Sequence, residues 1–282
     1  MKTVVITGAS TGIGRATALA CGSSGWRVFA GVRRSDDAPR GTNIYPLLLD
    51  VTDAESVASA AAKVSESLGN QRLSGLVNNA GIALGGPLAF QPIDEVRKVL
   101  EVNLVGALAT TQTFLPLLGT DPQRQGMPGR VVNMSSVAGG IGFPFLGAYS
   151  SSKHGLEGLS EALRRELLMF GIDVIVIGPG SVATPIWDKA ESASEASPYD
   201  DTPYGAALRH FGEAVVKSGR SGLSPERIAQ VVLHALTTEK PKTRYAPVQG
   251  MLVNWLLPRW MPKRIVDRVL AKSLGLNRKP GS

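Results

Sequence analysis

The feature that most limits what this chain can fold into is an alternation of short apolar runs with longer helix-patterned segments across its first 180 residues. The runs lie at 3–7 (TVVIT), 27–32 (RVFAGV), 44–49, 75–78 (GLVN), 130–134 (RVVNM) and 173–177 (DVIVI), each bounded by turn residues. Nearly continuous β-branched strands separated by helices predict a parallel sheet covered on both faces. Helices are expected at 13–24, 54–68, 93–118 and 148–170. The repeated βα unit predicts an α/β fold: a doubly wound, Rossmann-type parallel sheet of about seven strands with helices on both faces. The last strand is expected at 243–248.

No linker divides this pattern, so residues 1–248 are expected to form a single domain. Residues 181–224 break the rhythm. Ala, Ser, Asp, Glu and Pro dominate at 190–203, and Trp187, Tyr199, Tyr204 and Phe211 are scattered through the segment. A long irregular stretch inside a compact domain is a functional lid or a mobile loop. Ser224-Pro225-Glu226 then predicts a capped helix start, with that helix running to about Thr237. Two short helices around 251–257 and 263–274 make residues 249–282 a basic helical extension.

The first strand ends in Thr7-Gly8-Ala9-Ser10-Thr11-Gly12-Ile13-Gly14, where a helix begins. Glycines there permit a tight turn and close ligand approach. The helix start offers unpaired N–H groups and a positive dipole end to a pyrophosphate. Turn glycines alone would be unremarkable, but this loop joins the first strand and first helix of a βα series, which points to a dinucleotide. The end of the second strand reads Ala30-Gly31-Val32-Arg33-Arg34, with no acid before Asp36 to hold a ribose 2′-hydroxyl. Arg33 instead suits a 2′-phosphate, so NADP(H) is favoured over NAD(H). The plainer alternative is a solvated strand-end arginine, which leaves NAD(H) open.

Tyr149-Ser150-Ser151-Ser152-Lys153 opens the helix at 148–170. A spacing of four puts both side chains on one helical face. A neighbouring ammonium favours a phenolate, which is what acid–base chemistry near neutrality asks of a tyrosine. By itself this spacing is a common accident of amphipathic helices. The strand at 130–134, however, ends in Ser135-Ser136 at the carboxyl edge where open α/β sheets bind ligands. A serine there can polarise a carbonyl oxygen beside the tyrosine.

Taken together, TGASTGIG at 7–14, Asn78-Asn79-Ala80-Gly81, Asn103, Ser136, Tyr149-x-x-x-Lys153 and Pro179-Gly180 resemble the single-domain short-chain dehydrogenase/reductase family across residues 1–240. VFAGVRR and YSSSKHGLEGLSEALRREL are similar to its 17β-hydroxysteroid/retinol dehydrogenase-like branch. The resemblance implies an oxidoreductase interconverting an alcohol and a ketone or aldehyde, with residues 1–248 as dinucleotide-binding and catalytic domain. Ser136, thirteen residues before Tyr149, matches the family serine. Tyr149 would pass a proton to or from the substrate oxygen. Lys153 would bond the nicotinamide ribose and lower the tyrosine pKa, and Asn103 would hold a water in a proton relay. Gly8, Ser10, Thr11, Gly12, Ile13 and Gly14 would cradle the pyrophosphate. Asp50 and Val51 would meet the adenine, and Asn79, Ala80 and Gly81 would line the cofactor groove. Pro179, Gly180, Val182 and Thr184 would sit near the nicotinamide carboxamide. A catalytically silent nucleotide-sensing or scaffold member of the same fold is the alternative, although Asn103, Ser136, Tyr149 and Lys153 are all present.

Composition narrows the rest. With 282 residues, 43% hydrophobic and 19% charged, the chain can bury a substantial core. Of the formal net charge of +7, residues 239–282 carry +8, from ten Lys/Arg against Glu239 and Asp267, so the other residues sum to −1. The basic character therefore belongs to the tail, and nucleic acid is not an expected partner of the main domain. The single cysteine, Cys21, excludes an internal disulfide and reads as a small buried hydrophobe in a reducing cytoplasm. The apolar run following Met1-Lys2 leaves no room for a signal peptide, and no uninterrupted apolar stretch is long enough to span a bilayer. His154, His210 and His234 lack ligand-like spacing, so no metal site is expected.

Ile186, Trp187, Tyr199, Tyr204 and Phe211, with Ile141, Phe143, Phe145 and Leu146, would build a wide apolar pocket. No lysine or arginine between Val131 and Ala148 would meet a phosphate or carboxylate. A small lipophilic substrate is the expectation. Met251–Leu257 with the basic helix beyond can rest on an anionic membrane, or simply pack on the domain with its cations solvated. The resemblance also implies a homodimer or homotetramer built on the helices at 93–118 and 149–170.

Overall fold

The computed structural model describes residues 1–184, 197–250 and 260–276. Seven parallel strands form one sheet in the order β3-β2-β1-β4-β5-β6-β7. They are β1 Thr3–Ile6, β2 Arg27–Val32, β3 Ile44–Leu48, β4 Gly75–Asn78, β5 Arg130–Met134, β6 Asp173–Ile177 and β7 Arg244–Tyr245. The expected last strand shrinks to two residues. Strand order reverses between β1 and β4, and the crevice at such a reversal is where open α/β sheets place ligands.

Side chains alternate across the sheet with period two. Val4, Ile6, Val28, Ala30, Val77, Val132, Ile175 and Ile177 face one layer, which holds α1 (Gly12–Ser23) and α7 (Pro225–Thr237). Val5, Phe29, Leu76, Val131 and Val174 face the other layer, built by α2 (Ala54–Leu68), α4 (Gly106–Leu115) and α5 (Gly147–Glu166). Both faces of the central strands are therefore dry, which is why those strands read as apolar throughout, while β3 at the edge leaves Tyr45 and Leu48 exposed. Two helices begin on side-chain caps. Asp53 accepts from the N–H groups of Glu55 and Ser56, and Ser224 accepts from that of Arg227 with Pro225 in the first turn. Cys21 lies in the core, where burial pushes its thiol up to about 12 and leaves it inert.

Three expectations change. The helix expected at 93–118 is α3 (Ile93–Leu100) and α4, joined by a π-helical turn over Glu101–Val105 and followed by another over Pro116–Thr120. The whole stretch Ile93–Thr120 is long and apolar enough to cross a membrane by length and composition, contrary to the sequence expectation. Phe114, Leu117 and Leu118 are nonetheless buried against the sheet, as in a core helix. The segment 181–224 is not irregular throughout, since Gly205–Arg220 forms the helix α6. Ala207 is buried on it, with Leu208 and Phe211 turned to the same apolar cluster, so packing offsets its three glycines.

The lid aromatics also differ from expectation. Phe145 packs edge-on against Tyr204 and Phe211, at 6.1 and 5.6 Å between centroids, and is 6% exposed. Tyr204 in turn meets Phe90. With Ala207 and Leu274 they make a small core that fills itself rather than walling a cavity. Its hold on Phe145 offsets the cost of a left-handed backbone there (φ 62°), an unusual setting for a bulky residue. Leu274 belongs to α8 (Lys263–Leu274), so the lid helix and the tail helix share one contact. Ile186, Trp187 and the expected helix at 251–257 lie outside the described residues.

Candidate active site

Every expected site residue follows the carboxyl end of a strand or packs against one that does. Beyond β1, Gly8 and Gly12 turn with φ of +63° and +54°, conformations that glycine adopts without strain. Thr11 caps α1 without a side-chain hydrogen bond, so the first N–H groups of the helix, at Gly12, Ile13 and Gly14, have no cap. Ser10 precedes them in the same turn. A Cβ on Gly14 would stand 2.3 Å from the Gly8 carbonyl oxygen, so the loop closes against the helix with no space for a side chain. An uncapped helix start behind glycines that keep side chains away fits a pyrophosphate.

Asn79 acts first as a clamp on this loop. Its Nδ2 donates to the carbonyls of Thr7 and Gly8, each at 2.9 Å, while the Thr7 hydroxyl accepts from the N–H groups of Asn79 and Ala80. Thr7 was not among the expected site residues, although it is the link between the two loops. Thr184 comes beside Gly12, with its Cγ2 3.2 Å from where a Cβ would be. The loop after β6 is thereby folded over the glycine turn. Val182 is buried, pairing with Leu223, and the Gly180 N–H donates to Pro247. Pro179 accepts from the Val137 N–H, which joins the loop to the serine turn.

At the other end of the groove, Arg33 is exposed at the tip of β2 and forms no ion pair among the described residues. Arg34 is instead held by Asp37 through two 3.0 Å bonds. Asp50 accepts from the Thr52 N–H and hydroxyl, and these bonds, with the nearby Arg33 charge, hold its carboxyl below the usual range. Val51 is buried under Gly106, whose missing Cβ leaves room for the Val51 carbonyl.

The chemistry centres on α5. Tyr149 is half-buried, and Ser136 is the side chain whose hydroxyl acts on its phenol. Ser136 also caps a short 3-10 turn by accepting from the Ala138 N–H at 3.1 Å. Lys153 is 5% exposed, donates from Nζ to the Met134 carbonyl at 2.8 Å and lies 5.6 Å from the Tyr149 ring centroid. Burial lowers its pKa to about 8, with the Glu157 carboxylate acting in the raising direction. The Tyr149 phenol is raised by burial, and the Ser136 hydrogen bond offsets this in part. Ser136 thus acts to favour the phenolate, while the Lys153 ammonium lies over the ring with its Nζ donating to the strand carbonyl.

Asn103 sits in the π-turn, 1% exposed. Its Nδ2 donates to the Ile82 carbonyl and the Ser152 hydroxyl, and its Oδ1 accepts from the Ile82 N–H. Both amide hydrogens are spent. The side chain therefore ties the loop after Gly81 to α5, where the resemblance implied a water anchor. Ser152 passes the contact on to the Tyr149 carbonyl at 2.7 Å. A π-turn at this point is the kind of irregularity that helices carry at functional sites.

A groove of about 550 Å³ borders α5, but it is lined by Ser150, Ser151 and His154, on the side of the helix turned from Tyr149. It is separate from the hydroxyl pair.

Comparisons with known proteins identify the family. A family model described as short chain dehydrogenase matches residues 2–195. An NADPH-dependent 3-dehydrocapnine reductase from Ornithobacterium rhinotracheale is 38% identical over 279 residues, covering 97% of this chain and 98% of that protein. Retinol dehydrogenase 5 of Mus musculus is 35% identical over 285 residues, covering 95% and 87%. A short-chain dehydrogenase structure from Streptomyces avermitilis superposes with a TM-score of 0.73 at 29% identity, covering 96% and 94%. This chain therefore belongs to the short-chain dehydrogenase/reductase family, as an oxidoreductase that acts on CH–OH groups with a nicotinamide dinucleotide.

Proposed function

We propose that the protein interconverts a lipophilic secondary alcohol and its ketone, or an aldehyde, with NADP(H), and that Tyr149 is its general acid and base. The observation that carries this is the hydroxyl pair of Tyr149 and Ser136 at the carboxyl edge of the sheet, with the Lys153 ammonium beside it. When bound, the nicotinamide supplies or takes up the hydride. Gly8 to Gly14 hold the pyrophosphate, Arg33 the 2′-phosphate, Asp50 and Val51 the adenine side, and Asn79 to Gly81 the groove wall. Pro179, Gly180, Val182 and Thr184 flank the carboxamide side. Ser136 holds the substrate oxygen. In reduction Tyr149 gives that oxygen its proton, and in oxidation it takes the proton from the alcohol. Lys153 keeps positive charge near the phenol as the proton leaves it. Asn103 and Ser152 position the first turn of α5 that carries the phenol.

The lipophilic class is supported by the absence of Lys or Arg between Val131 and Ala148. A panel of lipophilic ketones, aldehydes and alcohols, assayed with NADPH and NADH, tests the proposal. We expect turnover with several lipophilic members and preference for NADPH, and an Arg33→Asp variant that shifts preference toward NADH by about tenfold or more. Equal use of both cofactors by the unaltered protein would remove Arg33 from its role.

We further propose a peripheral contact with anionic lipid through α8, in a homodimeric or homotetrameric protein. Trp260, Ile265 and Val269 are 85%, 42% and 58% exposed, while Lys263, Arg264, Arg268 and Lys272 stand against Asp267 on the same helix. Exposed apolar residues among cations suit an anionic bilayer surface. The protein should sediment with phosphatidylglycerol vesicles and far less with phosphatidylcholine ones. Ile265→Glu together with Val269→Glu should abolish the difference.

A further inference from the structure

One helical turn beyond Lys153, Glu157 leaves α5 toward the far edge of the sheet. There it meets Arg244 of β7, 87 residues away in sequence, through a fork of three bonds at 2.9–3.2 Å. Both side chains are about four-fifths buried. Glycines make the space for them. A Cβ on Gly178 would lie 2.3 Å from an Arg244 nitrogen and 3.3 Å from the Ser136 carbonyl, and one on Gly139 would lie within 3.0 Å of Glu157. Gly139 closes the turn that Ser136 opens, and Gly178 precedes Pro179, which accepts from the Val137 N–H. The ion pair thus stands where the serine turn, the loop after β6 and the lysine-bearing helix converge.

We propose that the Glu157–Arg244 pair is a positioning unit of the reaction, in which Arg244 restrains how strongly the Glu157 carboxylate acts on Lys153 while the two together fix the Ser136 turn. It rests on Tyr149 and Lys153 being the proton-handling pair. The groups facing Lys153 make the electrostatics simple. From α5 come Tyr149 and Glu157, from β5 the Met134 carbonyl, and from the π-turn the neutral Asn103, close to Gly81. His154 is turned to the Ser150 carbonyl. The carboxylate of Glu157 is therefore the one anionic side chain that acts on the ammonium among the described residues, and Arg244 is its counterion.

Removing either partner then has opposite consequences. In Glu157→Gln the ammonium loses its supporting charge and deprotonates at lower pH. In Arg244→Gln the carboxylate is no longer neutralised, and the ammonium persists to higher pH. The basic limb of the kcat/KM–pH profile should move down in the first variant and up in the second, each by about half to one pH unit. Arg244→Lys, which keeps the charge and loses the fork, should restore the limb while leaving kcat/KM reduced. Lysine ¹⁵N NMR titration of the cofactor-free protein reads the same shifts without turnover. It separates failure of this inference from failure of the substrate assignment. Opposite shifts in the two glutamine variants are the expected result. Shifts in the same direction, or none while both variants stay folded, would overturn the proposal and reduce the pair to a structural tie.

Discussion

Replacing Tyr149 with Phe should lower kcat/KM by about 10²–10⁴-fold, the usual worth of a positioned general acid–base group. The change keeps the ring that packs beside Lys153 and deletes only the hydroxyl that meets Ser136. NADPH affinity, read by fluorescence titration, should change little, because the phosphate cradle lies in the β1 turn rather than on α5. Turnover is measured with the best substrate of the panel. A Phe variant that retains full activity would remove Tyr149 from the proton step and revive the silent, nucleotide-sensing alternative.

Gly14→Ala should be nearly as damaging by a different route. The added methyl would stand 2.3 Å from the Gly8 carbonyl oxygen and 2.4 Å from Asn79 Nδ2, both held in place by the clamp. Relief requires the turn to open. The expected cost is about 1–3 kcal/mol of stability, as for overpacking elsewhere, and a loss of dinucleotide affinity of about tenfold or more follows because the N–H groups no longer converge. Thermal denaturation and cofactor titration measure the two effects. Gly158 is the internal control. It lies in α5 with open space around it, so Gly158→Ala should be neutral or gain about 0.5–1 kcal/mol from helix propensity. If Gly14→Ala behaves like Gly158→Ala, the close packing assigned to the loop is wrong.

The sheet was legible because its central strands are buried on both faces. Apolar runs such as DVIVI have no other use in a chain punctuated by helices, and six strands fall where their patterns place them. The loop at 7–14 and the Tyr149–Lys153 spacing could be singled out because each is local, but the spacing gained weight only together with Ser136 and the glycine loop. What escaped was non-local. The bond of Glu157 to Arg244 joins residues whose local patterns say only that one is a helical acid and the other a strand cation. Thr7 looks like the last residue of a strand, and its bridging role exists only once β4 lies alongside. Helix α6 was hidden by the irregular composition before it and by glycines at 205, 212 and 219, although Ala207, Leu208 and Phe211 carry helical spacing. The aromatic residues of the lid were correctly read as apolar, but composition cannot say whether rings face a cavity or one another.

The π-turn at Glu101–Val105 makes length, rather than composition, the guarded property of this helical run. Such a turn holds one residue more than the α-turn it replaces. Excising one position would let the run close as an ordinary α-turn, with α3 and α4 keeping about the same mutual rotation but without the local bulge. Val99 would keep its place in the core, but the Asn103 amide that the bulge presents would leave the Ile82 backbone. Substitutions along the exposed flank of α3 are tolerable on this account, whereas a single deletion anywhere between 101 and 105 is not. Relatives that keep this active-site layout should therefore align through the stretch without gaps.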